Sequence, residues 1–396
     1  MESSEDIPSS PLTDRNERTN ILTILDLLRA GKSMSRRELI EATRLGRRVV
    51  NQRVDSLIRS GLVGEELPSL SQGGRPASPV VFLPGAGIVL VADISPSVIR
   101  TGITDLGGNL IARRDDVVTP SMGPELILDR VERCWSALLE SLDKAPPPLM
   151  AIGIGVIGPV DTVHHQRSSV VTPFGWDGNL VSERLKAKYG VPVWADNVVN
   201  LMALAEYSRH VGEEAADFVL VLVDDGIGGG VISNGRLHRG ADGIAGELGH
   251  VTVTDDPDVA CWCGKTGCLT QVASTSAIER RIGREIFSEP VPGAFDEPEV
   301  HAAIGAAGEA TGRMLADLVN IFNPAHIVIG GRVAEAGEVF LGPLRTTLKR
   351  RAFPASAAHL KIARAGSEDE LGLLGAGIMA LDGIFSPSFT SQWLRQ

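Results

Sequence analysis

Three thiols and one imidazole stand close together in this chain: His250, Cys261, Cys263 and Cys268 fall within 19 positions of the segment GELGHVTVTDDPDVACWCGKTGCL. Gly264 and Gly267 let the loop turn tightly between the donors. One ring nitrogen and three sulfurs make a closed four-ligand set for Zn2+, and with no coordination position left open the metal expected here is structural, not hydrolytic. Three of the four cysteines crowd into eight residues, which argues against unrelated free thiols. Cys134, beside Trp135 in a helical stretch, reads as a core thiol.

A second set of candidates is basic. Arg47, Arg48, Asn51 and Gln52 form a run of side chains suited to base edges, because arginine forks onto guanine and Asn or Gln pairs with adenine. Arg36, Arg53 and Arg75 are the further basic candidates for DNA contact. The elements that would carry them follow from hydrophobic spacing. Ile21, Ile24, Leu25 and Leu28 repeat at helical intervals up to Ala30-Gly31, and Ser35 with Glu38 is a capping box that opens a second helix bearing Leu39, Ile40 and Ala42. A third helix begins near Arg47, turns Val50, Val54, Leu57 and Ile58 inward, and ends at Gly61. Three short helices with a tight turn before the third are the helix-turn-helix pattern, with the third as recognition helix. The following LVGEELPSLSQGGRPASPVVFL reads as strand, loop and strand, a wing whose tip would offer Arg75 to the minor groove. The plainer alternative is a helical oligomerisation module with a solvated basic face.

Charge divides the chain the same way. Between Arg15 and Val80 there are 12 Lys/Arg against 7 Asp/Glu, whereas the whole 396-residue chain carries a net charge of −11. The body beyond Val80 is therefore strongly acidic and would repel nucleic acid, so contact with double-stranded DNA falls to the first 80 residues. With 43% hydrophobic and 22% charged residues, the chain can bury a large core in two or three domains. Its longest apolar stretch, Leu149 to Val160, is too short to span a bilayer, and the acidic MESSEDIPSS start is unlike a secretory signal. The expectation is a cytoplasmic protein with no membrane partner.

From Ala86 onward, strand-like runs (GIVLVADI, LMAIGIGV, DFVLVLVD, AHIVIG) alternate with helical stretches, the pattern of an α/β architecture. VADISPSVIRTGITDLGGNL and VLVDDGIGGGVISNGRL echo each other as strand, small-residue turn and returning strand. Paired hairpins of this kind hold ATP in actin-like sugar kinases.

The cysteine segment, together with AGELGH, the GIGGG hairpin, HIVIGG and the terminal GLLGAGIMAL, resembles the ROK family of repressors, open reading frames and kinases; the N-terminal winged helix followed by GGRP is similar to its repressor branch. The resemblance implies a two-lobed, actin-like α/β body of sugar-kinase type preceded by a winged helix-turn-helix domain. The expected layout is a disordered acidic tail over 1–14, the DNA-binding domain over 15–84, a small lobe from 85–205 with 369–385, a large lobe with the zinc site over 206–368, and a tail over 386–396.

It also implies what has been lost. ROK kinases use the Asp of an Asn-Asp-x-Asn segment as general base; the matching run here is Asn197, Val198, Val199, Asn200, and Val198 cannot accept a proton. The first phosphate hairpin reads Asp93, Ile94, Ser95, Pro96, Ser97 in place of a glycine-rich turn, and Asp225 stands where the second has Thr. The chain is expected not to be an enzyme. Asn197, Glu247 and His250 match sugar-contacting positions, Thr270 replaces a sugar-binding Glu, and Trp176 in TPFGWDGNL either stacks on a pyranose or anchors packing. The expected ligand is less polar than plain glucose: a modified, deoxy or phosphorylated sugar, or something smaller. The reading is a sequence-specific transcriptional regulator of carbohydrate metabolism, with repression as the family's expectation, a homodimer or tetramer binding a pseudo-palindrome, and a small-molecule effector bound in the cleft. The alternatives are an ATP-dependent sugar kinase fused to a DNA-binding domain, and an effector-independent DNA-binding protein.

Overall fold

The computed structural model describes residues 11–66, 78–119, 122–142, 145–158, 160, 176, 178–211, 215–288, 293–366 and 369–393. Its first element, α1 (Pro11–Arg29), buries Ile21, Ile24, Leu25 and Leu28 along one stripe. The capping box before α2 (Arg36–Thr43) is formed: the Ser35 side chain accepts from the Glu38 amide, and the Glu38 carboxylate accepts from the Ser35 amide at 2.7 Å. Arg44 takes a left-handed turn, and α3 (Arg47–Arg59) then packs Val50, Val54 and Leu57 against α1. β1 (Val63–Glu65) and β2 (Val80–Phe82) pair antiparallel as a wing.

Two five-stranded sheets follow, and they repeat one plan. In the first, β3 (Ile88–Ile94), β4 (Val98–Asp105) and β5 (Leu110–Val117) run antiparallel. After α4 (Gly123–Glu140), β6 (Leu149–Val156) adds parallel to β3, and after α5 (Gly178–Tyr189), β7 (Val193–Asn197) adds parallel to β6. The order is β5-β4-β3-β6-β7. Central β3, covered on both faces, is buried at every position, its apolar run broken by the buried Asp93 alone. α6 (Val198–Glu206) leads into the second sheet, in which β8 (Phe218–Val223), β9 (Ile227–Ser233) and β10 (Arg236–Leu237) form the antiparallel part. α7 (Thr270–Ala273), α8 (Thr275–Ile282) and α9 (Pro298–Phe322) come before parallel β11 (His326–Gly330). α10 (Glu338–Arg351) and α11 (Pro354–Ala357) come before β12 (Lys361–Arg364), giving β10-β9-β8-β11-β12. The two echoing segments of the sequence are thus the β3–β4 and β8–β9 hairpins of a duplicated, actin-like α/β body.

α12 (Leu371–Ile384) returns the chain to the first sheet and packs on α6, β6 and β3. Glycines make this close approach possible. A side chain at Gly375 would strike the Leu201 carbonyl of α6, and one at Gly383 would enter the Trp194 ring. Beyond α12, the segment ending in α13 (Thr390–Trp393) folds back on the winged domain: Trp393 is buried, its indole donates to the Ile384 carbonyl at 2.9 Å, and α13 touches α1. One continuous apolar cluster therefore joins the three N-terminal helices to the first lobe. Among the described residues no helix is long and apolar enough to cross a membrane.

Candidate effector cleft, metal centre and nucleic-acid interface

A cleft of about 1010 Å³ opens between the lobes, lined by both hairpins, the N-terminus of α6 and the loop that carries His250 and Trp262. Such a volume lies at the upper end of what small-molecule sites occupy, ~300–1,000 Å³. Asn197, Glu247, His250 and Thr270 all line it. Asn197 is held in place by its own helix: its side-chain oxygen caps α6 by accepting from the Val199 amide at 2.7 Å, while its side-chain amide donates to the Gly158 carbonyl at 2.9 Å. Only part of its hydrogen-bonding capacity remains for a ligand. Burial pushes the Glu247 carboxyl above its ordinary value. Trp176 is different: it is 4% exposed, within the core shared by α4 and α5, and not on the cleft wall, so stacking on a sugar gives way to the packing role.

Val198 opens α6 beside the cleft, where an aliphatic side chain takes no proton. Neighbouring Asp196 is fully buried and its carboxylate is already saturated by the Arg239 guanidinium at 2.8 Å, the Asn200 side-chain amide at 2.8 Å and the Asn197 backbone amide at 2.7 Å. It does not line the cleft either. At the second hairpin, Arg332 follows the Gly330-Gly331 pair and reaches both acids of the turn. Its Nε donates to Asp224 at 2.9 Å, and a terminal nitrogen lies 2.7 Å from Asp225, which also accepts from the Thr275 hydroxyl at 2.6 Å. Asp225 is therefore not the bare carboxylate that the sequence alone suggests. An internal ion pair fills that corner, and the sequence reading did not single out Arg332.

His250, Cys261, Cys263 and Cys268 converge, with all four donor atoms within 4.8 Å of one another. Around a tetrahedral ion with Zn–S distances of about 2.3 Å, sulfur pairs stand about 3.8 Å apart. Cys263 Sγ to Cys268 Sγ is 3.7 Å, and Cys261 Sγ to His250 Nδ1 is 3.6 Å, so the donors fit a zinc-sized ion. Burial, reinforced by hydrogen bonds with Cys263 and Cys261, pushes the Cys268 thiol up to about 12, while burial and then the Lys265 charge lower the His250 value. Nδ1 faces the Cys261 thiol, and His250 also lines the cleft.

On the winged domain, Arg47, Arg48 and Gln52 are exposed on α3 and Asn51 is half-buried. Arg36 and Arg53 turn inward. Arg36 bridges α2 to Asp55 at 2.8 Å and Glu65 at 3.0 Å and donates to the Asn51 carbonyl, whereas Arg53 pairs with Glu17 of α1 and its side chain is 11% exposed. Both are tied up in structural ion pairs whose partners lie far away in the sequence. Arg75 lies outside the described residues.

Comparison with known proteins agrees with this geometry. The ROK family profile matches residues 93–383. The xylose repressor of Caldicellulosiruptor bescii is 28% identical over 395 residues, covering 93% of this chain and 96% of its own. The glucokinase of Halalkalibacterium halodurans is 29% identical over 312 residues, covering 72% of this chain and 92% of its own. A solved ROK family transcriptional regulator, homologous to the E. coli MLC protein, superposes with a TM-score of 0.79 at 21% identity over 96% of this chain and 100% of its own. With a two-lobed body, a His/Cys3 cluster at the cleft and a profile match across nearly all of that body, this chain belongs to the ROK family.

Proposed function

We propose that this chain is a sugar-responsive, DNA-binding transcriptional repressor whose ROK body senses a ligand and does not phosphorylate it. The observation that carries this reading is the path from cleft to winged domain. Gly372, at the start of α12, lies against the Asp93 carboxylate of the first hairpin; Phe385, just past its end, contacts Phe82 of the wing at 6.2 Å and the Arg29 guanidinium of α1. A 14-residue helix spans about 21 Å. Because α12 packs tightly, with Gly375 and Gly383 against the Leu201 carbonyl and the Trp194 ring and with Leu373, Met379 and Leu381 buried, a ligand that changes the hairpins moves the helix as a body, and the winged domain moves with it.

DNA contact rests on Arg47, Arg48, Asn51 and Gln52, with Arg75 as a further candidate from the sequence; Arg36 and Arg53 hold that surface in shape. Two copies are required to present two recognition helices about 34–36 Å apart on a pseudo-palindrome. Zn2+ held by His250, Cys261, Cys263 and Cys268 rigidifies the loop that brings His250 and Glu247 to the ligand. Against catalysis stand the aliphatic Val198, the saturated Asp196 and the Arg332 ion pair where a nucleotide's phosphates would have to settle. The test is a paired assay on the purified dimer. Capture of genomic fragments at about 150 mM salt, where weak phosphate-only binding is largely screened, should return a few palindromic sites, and ATP turnover with a sugar panel should be absent. Sugar-dependent ATP turnover would instead establish a kinase.

A further inference from the structure

Among the described residues, Trp262 is the exposed aromatic side chain that lines the cleft. Of the chain's five tryptophans, Trp135, Trp176 and Trp393 are buried, whereas Trp262 is 50% exposed and lines the cleft. It sits between two of the thiol donors, and its ring stands edge-on to the His250 imidazole, with centroids 4.9 Å apart and planes at 87°. That contact fixes the indole against a residue which is itself anchored in the thiol cluster. Ile244, another large apolar side chain exposed to solvent, lines the same cleft, and Val198 adds a third apolar wall. Facing solvent, an indole and an isoleucine gain nothing; covered by a ring, they lose water and acquire dispersion contacts.

Hydroxyl-binding groups and apolar walls thus share one cavity. Asn197, Glu247 and His250 suit a sugar's hydroxyls, Trp262 and Ile244 line the same cavity, and its volume of about 1010 Å³ leaves room for more than a single ring. Arg100 pairs with Asp93 and Asp369, and Arg332 with Asp224 and Asp225. With Glu247 and Glu335, however, the lining carries six carboxylates against the three guanidiniums of Arg100, Arg332 and Arg364, an acidic balance that disfavours an anionic substituent. We propose that Trp262 is a specificity-determining residue, and that the effector is an uncharged two-ring ligand: a sugar held by Asn197, Glu247 and His250 whose attached second ring, of a disaccharide or a glycoside, stacks on Trp262. This inference rests on the effector reading above and narrows its ligand class.

Calorimetry on the zinc-loaded, full-length protein tests it with D-xylose, xylobiose and phenyl β-D-xylopyranoside and with the matching glucose series. The expected result is that two-ring probes of one series bind about tenfold more tightly than their parent sugar, that Trp262→Ala abolishes the preference, and that Trp262→Phe keeps most of it. Xylobiose and the phenyl glycoside distinguish a second sugar from an aromatic aglycone. Metal content is measured for both variants. If the alanine variant loses zinc, fluorescence decides: a two-ring probe should shift the wild-type emission and leave Trp262→Phe unshifted. Equal affinity for one-ring and two-ring probes, or a preference that survives in Trp262→Ala, overturns the inference while leaving the effector reading intact. Failure of every probe to bind the wild type overturns both.

Discussion

The Arg29 guanidinium of α1 lies 4.4 Å from the centre of the Phe385 ring, so the last turn of the first helix is clasped by the residue that ends α12. Phe385 also meets Phe82 and Trp393 edge to face, at 6.2 and 6.1 Å. Asp26 and Asp382 complete the setting. Burial lowers the Arg29 value and raises that of Asp382, and their opposite charges offset part of each shift. A cation held over a ring and between two acids couples the winged domain to the body more specifically than apolar contact alone.

Phe385→Leu keeps an apolar plug and removes the ring beneath Arg29. The expected outcome is sugar affinity within about twofold of wild type, together with loss of most ligand-induced release from DNA. The two are read by calorimetry and by anisotropy of a labelled operator. Normal release from this variant would show that coupling takes another route.

The two arginine classes on α3 separate by experiment. Arg48→Ala should weaken binding to a specific site by about 1–3 kcal/mol with little loss of stability if the side chain reads a base, whereas an equal loss on random DNA would assign it to phosphate. Arg53→Ala should instead lower the melting temperature, because it leaves Glu17 without its partner. Paired DNA titrations and thermal melts check both.

Metal removal should sever sensing. Cys263→Ser takes one of four donors, so we expect lost zinc, a lower melting temperature and no ligand response, with DNA binding retained because α1 to α3 do not touch the site. A metal-free variant that still releases DNA on ligand addition would contradict the role given to the loop.

Glu247 gives a pH signature. Its carboxyl is raised above the ordinary 4.5 by burial, so the folded protein keeps that proton to higher pH than the unfolded chain does. The associated stability is fully present below the ordinary value and is lost as pH rises through the folded one. Glu247→Gln, neutral throughout, escapes this loss. Melting curves taken upward from about pH 4.5 with excess zinc should therefore show the variant gaining on wild type as pH rises, at the cost of weaker ligand binding. Parallel curves would sink the assignment.

What could be read in the sequence was local. The Ser35–Glu38 box, the helical stripes of α1 and α3, the His250–Cys268 donors and the echoing hairpins each depend on neighbours within a few residues, and the fold places them as their spacing demands. What could not be read depends on distant partners. Arg36 and Arg53 look like free cations until Glu65 and Glu17 are brought to them. Asp225 looks unpaired until Arg332, more than a hundred residues later, closes on it. Trp176 and Trp262 are indistinguishable as letters; only the packing of α4 and α5 buries one and leaves the other open. The signal for Trp262 was present in its position between Cys261 and Cys263, on the loop whose His250 matches a sugar-contacting position.

Whether a sugar-class ligand controls DNA affinity is measured directly by operator anisotropy. One captured genomic fragment, titrated with zinc-loaded protein at about 150 mM salt, is challenged with pentoses, hexoses and their two-ring glycosides. At least one compound should weaken binding severalfold for the wild type and leave Phe385→Leu unmoved. Specific binding that no compound changes would contradict it, and would make this an effector-independent DNA-binding protein.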